Sequence, residues 1–139
     1  MCMSRVINRF LVYKTVLSFN RNLKKYGFSY VNEEYLIKDT LPPLKDLTET
    51  DLDYIKEILK MVEDTCLLFF NEARCLHRSV SAYHIFRKKQ LPIDLVIGVS
   101  KKPFISHAWL EFNGQVINDA PEFVEKLSVQ FNTFNLRRE

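Results

Sequence analysis

His107-Ala108-Trp109-Leu110-Glu111-Phe112-Asn113-Gly114-Gln115-Val116-Ile117-Asn118-Asp119 reads as two strands folded about a turn. Asn-Gly tolerates the positive φ angles that tight hairpins require. The register of this hairpin decides what the segment can do. A two-residue turn pairs Phe112 with Gln115 and sends the His107 and Asp119 side chains to opposite faces of the sheet. A three-residue loop, Phe112-Asn113-Gly114, pairs Glu111 with Gln115 and sets His107 directly across from Asp119. Gly114 then takes the left-handed position of a G1 bulge, which glycine adopts without steric cost. Cross-strand β-carbons lie about 4.5–5.5 Å apart, within reach of an imidazole–carboxylate hydrogen bond. The bulged register is therefore expected, with Trp109 and Ile117 packed around the pair.

Upstream, Asp94-Leu95-Val96-Ile97-Gly98-Val99 is β-branched and reads as a further strand, with a turn from Ser100 to Pro103. Ahead of it the periodicity is helical. Cys75 opens a helix through Ser79, Ala82, Tyr83 and Phe86 to Lys89, which Leu91-Pro92 ends. An earlier helix is capped by Thr48 or Thr50 and carries a stripe of Leu52, Ile55, Leu59, Val62, Cys66 and Phe69. The first helix repeats Val6, Phe10, Tyr13, Leu17 and Leu23 and stops at Gly27. Leu41-Pro42-Pro43-Leu44 forbids a regular helix between the two. Helices followed by a small antiparallel sheet predict an α+β fold. The expected organisation is one domain over 1–139, with a helical N-terminal extension at 1–47, a catalytic core at 48–125 and a C-terminal tail at 126–139 whose polar end frays.

The chain has 139 residues, enough for one buried core. No apolar run approaches the ~18–20 residues that span a bilayer, and no signal-peptide cleavage pattern follows the N-terminal apolar residues. No stable membrane anchor is expected. Three widely spaced cysteines, Cys2, Cys66 and Cys75, form no disulfide framework and suit a reducing cytoplasm. The net charge is only +3, yet residues 1–32 hold Arg5, Arg9, Lys14, Arg21, Lys24 and Lys25 with no acid. Such a face can be merely solvated or can meet a partner, and Arg21, Lys24 and Lys25 are its candidate contacts. No nucleic-acid reading motif accompanies the charge. No Cys-x-x-Cys, His-Glu-x-x-His or glycine-rich phosphate loop occurs, so neither a metal nor another cofactor is expected, and ATP use by this chain is disfavoured. His77 and His84 lie seven apart, too far for a compact ligand pair.

Cys75, His107 and Asp119 together suit nucleophilic catalysis. The backbone N–H groups of a helix start favour a thiolate, an imidazole beside it can carry the proton, and a carboxylate can fix the imidazole tautomer. Each residue has a structural reading when taken singly. At the right element ends, with one register satisfying the geometry, the three favour catalysis.

Cys75-Leu76-x-Arg78-Ser79, then Leu95-Val96-Ile97-Gly98-Val99, then Pro103-Phe104-x-x-His107-Ala108-Trp109-Leu110-Glu111, then Gly114-x-Val116-x-Asn118-Asp119 is similar to the leader peptidase family of lasso-peptide biosynthesis. The resemblance spans roughly residues 50–125. It implies a transglutaminase-like, papain-related cysteine peptidase, bacterial and cytoplasmic, with Cys75, His107 and Asp119 as its triad and Trp109 as a candidate substrate contact. It further implies a precursor peptide, leader plus core, as substrate. A separate asparagine-synthetase-like cyclase would close the macrolactam with ATP. Residues 1–47 are too short for the ~80-residue recognition domain of fused forms. The implied chain is the stand-alone peptidase half, served by a separate leader-recognition protein. A transglutaminase-like amine acyltransferase and a catalytically silent peptide-binding module remain the alternatives.

Overall fold

The structure, a computed structural model, describes residues 2–31, 33–34, 45–72, 74–101 and 104–138. In chain order these form α1 (Cys2–Val31), α2 (Glu49–Phe70), α3 (Cys75–Lys88), β1 (Asp94–Lys101), β2 (Phe104–Phe112), β3 (Gln115–Val116), α4 (Pro121–Val124), β4 (Ser128–Asn132) and a closing 3-10 turn (Thr133–Arg138). The strands make one antiparallel sheet in the order β3-β2-β1-β4. The α+β architecture expected from the sequence is present. The expected break at 41–44 and the end of the turn at Pro103 lie outside the described residues.

The three long helices share one core with the sheet. Val12, Val16 and Phe19 of α1, Ile55, Ile58 and Val62 of α2, and Val80 and Phe86 of α3 are buried against Leu95, Ala108 and Leu110. Each such aliphatic or aromatic side chain contributes about 1.5–3 kcal/mol relative to exposure. Thr48 caps α2 in a reciprocal box with Asp51, and Asn71 ends it in the left-handed conformation. The buried stripe of α2 is rotated from the expected one: Ile58, Met61 and Thr65 point inward, while Leu52 and Phe69 are exposed. The core lies between α1 and α3, and that direction, not overall amphipathicity, sets the face. Gly27 (φ 84°, ψ 177°) interrupts α1, and helical turns resume after it.

Two sheet features depart from expectation. First, β4 pairs with β1, so part of the segment expected as a C-terminal tail (126–139) supplies an edge strand. Its end is pinned by the buried Thr133 hydroxyl, which donates to Asp94 and accepts from the Leu95 amide. Second, the hairpin uses the two-residue register, pairing Phe112 with Gln115 and Glu111 with Val116. Asn113 and Gly114 both have positive φ, 51° and 84°, the signature of a type I′ turn. The bulge is absent. Val116, not Ile117, accompanies Trp109, and Ile117 packs on the helix side.

Candidate active site

The ladder between β2 and β3 stops at Val116, and residues 117–119 bend. The Ile117 amide still donates to the Leu110 carbonyl, but the Leu110 amide donates to the side-chain Oδ1 of Asn118 (2.8 Å). A carboxamide thus replaces the next backbone carbonyl of the ladder and frees the chain to turn. Strict alternation would hold His107 and Asp119 on opposite faces; the bend cancels it. Asp119 Oδ2 accepts a hydrogen bond from His107 Nε2. The pair expected from a bulged hairpin therefore forms by a different route.

Around Asp119 the polar contacts are dense. Arg78 donates to Oδ2 at 3.2 Å, and the Ala120 amide donates to Oδ1 at 2.9 Å. Burial pushes the carboxyl upward, but the hydrogen bonds from His107 and Ala120 and the nearby positive charges outweigh it, leaving the group below its ordinary value. Asn118 also donates to Ser79 Oγ (3.2 Å), and Ser79 donates to the Ala108 carbonyl (3.0 Å). This buried chain ties α3, β2 and the bend together.

Because Asp119 occupies Nε2, the neutral His107 ring keeps its lone pair on Nδ1. Trp109 stacks beside the imidazole at a centroid distance of 6.1 Å, and Phe123 of α4 meets it edge-on at 5.1 Å. Trp109 is 2% exposed and donates its indole N–H to Glu111, so the expected substrate contact lies behind the imidazole with almost no ring surface free. Gly98, opposite His107 on β1, makes room for it: a β-carbon there would lie 2.8 Å from the indole.

Cys75 is the first residue of α3 and is half-buried. It lines a cleft of about 490 Å³ whose wall also includes His107. Cys66, by contrast, is buried in the helical core, and burial pushes its thiol up to about 11. Iodoacetamide at neutral pH is expected to label Cys75 at least about tenfold faster than Cys66, as read by peptide mapping of a time course. Equal, slow labelling of both would count against a reactive Cys75.

His77 sits two residues on but faces the other way. Its Nε2 meets Asn20 Oδ1 at 2.9 Å, and the Phe19 and Phe70 rings flank it edge-on. Burial first, then the Arg74 and Lys24 charges, lower it to about 4. Between pH 6.5 and 4 the unfolded chain therefore binds a proton that the folded chain refuses, so stability falls as pH falls through that window. The loss is on the order of 3 kcal/mol at full extent. Asp119, whose folded value is depressed, loses its contribution only below about 3.8. Urea midpoints at pH 7.5 and 4.5 should drop less in His77→Gln than in the parent; an equal drop would assign the effect elsewhere.

Arg21, Lys24 and Lys25 are exposed on α1, outside the cleft. Arg78, Ser79, Asn118 and Phe123 surround the candidate site and have no role in the sequence reading. The signal for Arg78 is its spacing: three residues after Cys75, it shares that residue's helix face. Among the described residues no acidic, His and Cys cluster suits a metal, and no helix is long and apolar enough to cross a membrane.

Residues 32–132 match the family model of the transglutaminase-like superfamily. The Microcin J25-processing protein McjB of Escherichia coli is 30% identical over 137 aligned residues, covering 89% of this chain and 57% of the relative. The chain thus spans little more than half of that relative's length. No solved structure matches significantly.

Proposed function

The chain belongs to the transglutaminase-like superfamily, and from that premise we propose that it is a cysteine peptidase that removes the leader from a ribosomally made lasso-peptide precursor. The observation that carries this reading is the His107–Asp119 hydrogen bond at the rim of a cleft that Cys75 also lines. Similarity to a protein named for processing microcin J25 supports the substrate class.

In the proposed reaction His107 Nδ1 takes the Cys75 proton and Sγ attacks the scissile carbonyl. Backbone N–H groups at the head of α3 are the candidate donors to the resulting oxyanion. The imidazolium, held by Asp119, protonates the departing amine, which is the new amino terminus of the core. The leader remains as a Cys75 thioester. His107 then deprotonates a water that attacks the thioester, and Cys75 leaves with the proton returned to it. A separate ATP-dependent cyclase would consume the freed amine in macrolactam closure. No cofactor is needed by this chain, and a reducing compartment such as the cytoplasm keeps Sγ competent.

Incubation with a precursor peptide tests this by product mass. Separate leader and core are expected. An isopeptide-linked product would favour amine transfer, the reading that the superfamily's namesake activity keeps alive, and an intact peptide held tightly would favour a silent binding module. Delivery of the leader is assigned to a separate recognition protein that meets the acid-free basic face of α1. Changing Arg21, Lys24 and Lys25 together to Glu should weaken complex formation by tenfold or more at low salt, measured by titration. Unchanged binding would dismiss that surface.

A further inference from the structure

The cleft beside Cys75 carries chemistry that the proton transfers do not use. Leu76 of α3, Ile97 of β1, Ala108 of β2 and Phe131 of β4 line it, and Phe28 of α1 forms a further wall. Among the described residues its lining contains no Asp, Glu, Lys or Arg, and the polar side chains there besides the thiol and imidazole are Ser106 and Gln130. At about 490 Å³ it falls within the roughly 300–1,000 Å³ of clefts that hold ligands. A charged side chain entering it would lose water without gaining a partner.

Phe28 reaches this cleft through a specific device. Eighteen residues are five helical turns, so in an unbroken α1 Phe28 would lie above Phe10, whose side chain faces solvent. Gly27, at φ 84° and ψ 177°, breaks the helix one residue earlier. The redirected Phe28 is still 45% exposed, as a wall that a ligand would complete.

We infer that this cleft is a side-chain subsite for an uncharged apolar residue flanking the scissile bond, with Phe28 as its specificity-determining wall. The identity of the substrate as a peptide rests on the peptidase reading above; the apolar preference itself does not. The same cleft should therefore select among small electrophiles that alkylate Cys75.

The test uses iodoacetamide, N-benzyl-iodoacetamide and N-(carboxymethyl)iodoacetamide, with each rate at Cys75 divided by that for free glutathione. The benzyl reagent is expected to react about tenfold faster than the parent, and the carboxylate reagent more slowly than the parent. Phe28→Ala should cut the benzyl-to-parent rate ratio to threefold or less, and Phe28→Leu should retain most of it. Equal normalised rates in the wild type would overturn the inference. So would a Phe28→Ala variant that slows all three reagents alike or none. An apolar preference in a protein that leaves precursor peptides uncut would remove only the peptidase reading. A Cys75 that resists every reagent would remove both.

Discussion

Cys75→Ala and His107→Ala will each leave a precursor peptide essentially uncut, with single-turnover rates falling about 10⁴-fold or more. Neither change should unfold the protein, since both side chains sit at the surface of a cleft and not in the helical core. Asp119→Asn is the more discriminating variant. Its amide can still occupy the space, but it cannot compensate an imidazolium, and it gives up the charge that Arg78 meets. A loss of about 10²–10⁴-fold is expected, with a folded circular dichroism spectrum. Residues that act as a unit are not additive. The Cys75→Ala, Asp119→Asn double variant should therefore be no slower than Cys75→Ala alone. Wild-type cutting by Cys75→Ala would refute the nucleophile, and additive losses would refute the unit.

Gly98→Ala carries the second large effect, although Gly98 touches no substrate in the mechanism. The added methyl would meet the indole at 2.8 Å and the Leu127 β-carbon at 3.1 Å. Trp109 is rigid, fully packed and hydrogen-bonded to Glu111, so it has little freedom to withdraw. Overpacking of this kind costs about 1–3 kcal/mol, and thermal denaturation should show a midpoint lower by several degrees. The indole also stacks on His107, so the displacement should reach the imidazole. Cleavage should fall well beyond the folded fraction lost, by about tenfold or more at a temperature where the variant is fully folded. A variant with normal melting and normal cleavage would show that the indole shifts freely and that its stacking does not position His107.

Much of this molecule is legible in its residues, and the exceptions share a cause. A cap at Thr48, the Cys75 helix start, the Leu91-Pro92 stop and a turn at Asn113-Gly114 are local signals, and each forms, although the turn takes its two-residue form in place of the expected bulged loop. The register is different. Counting backbone pairs cannot anticipate that the Asn118 side chain takes over one ladder bond, and that substitution lets His107 meet Asp119 without a bulge. Strand β4 hides because Ser128-Val129-Gln130-Phe131-Asn132 is a largely exposed edge with no buried alternation; its anchor, Thr133 to Asp94, spans 39 residues. The face of α2 is set by where α1 docks, which no window of α2 contains. Trp109 is legible as an aromatic neighbour of His107, but only the packing of Gly98 and Leu127 reveals that it stands behind the imidazole and not in reach of substrate.

Asp119 Oδ2 receives both the ring of His107 and the guanidinium of Arg78. A single atom thereby moors the sulfur-bearing helix to the ribbon that bears the imidazole. In the proposed mechanism that shared anchor would keep the imidazole and the head of the thiol's helix in step when the two layers shift.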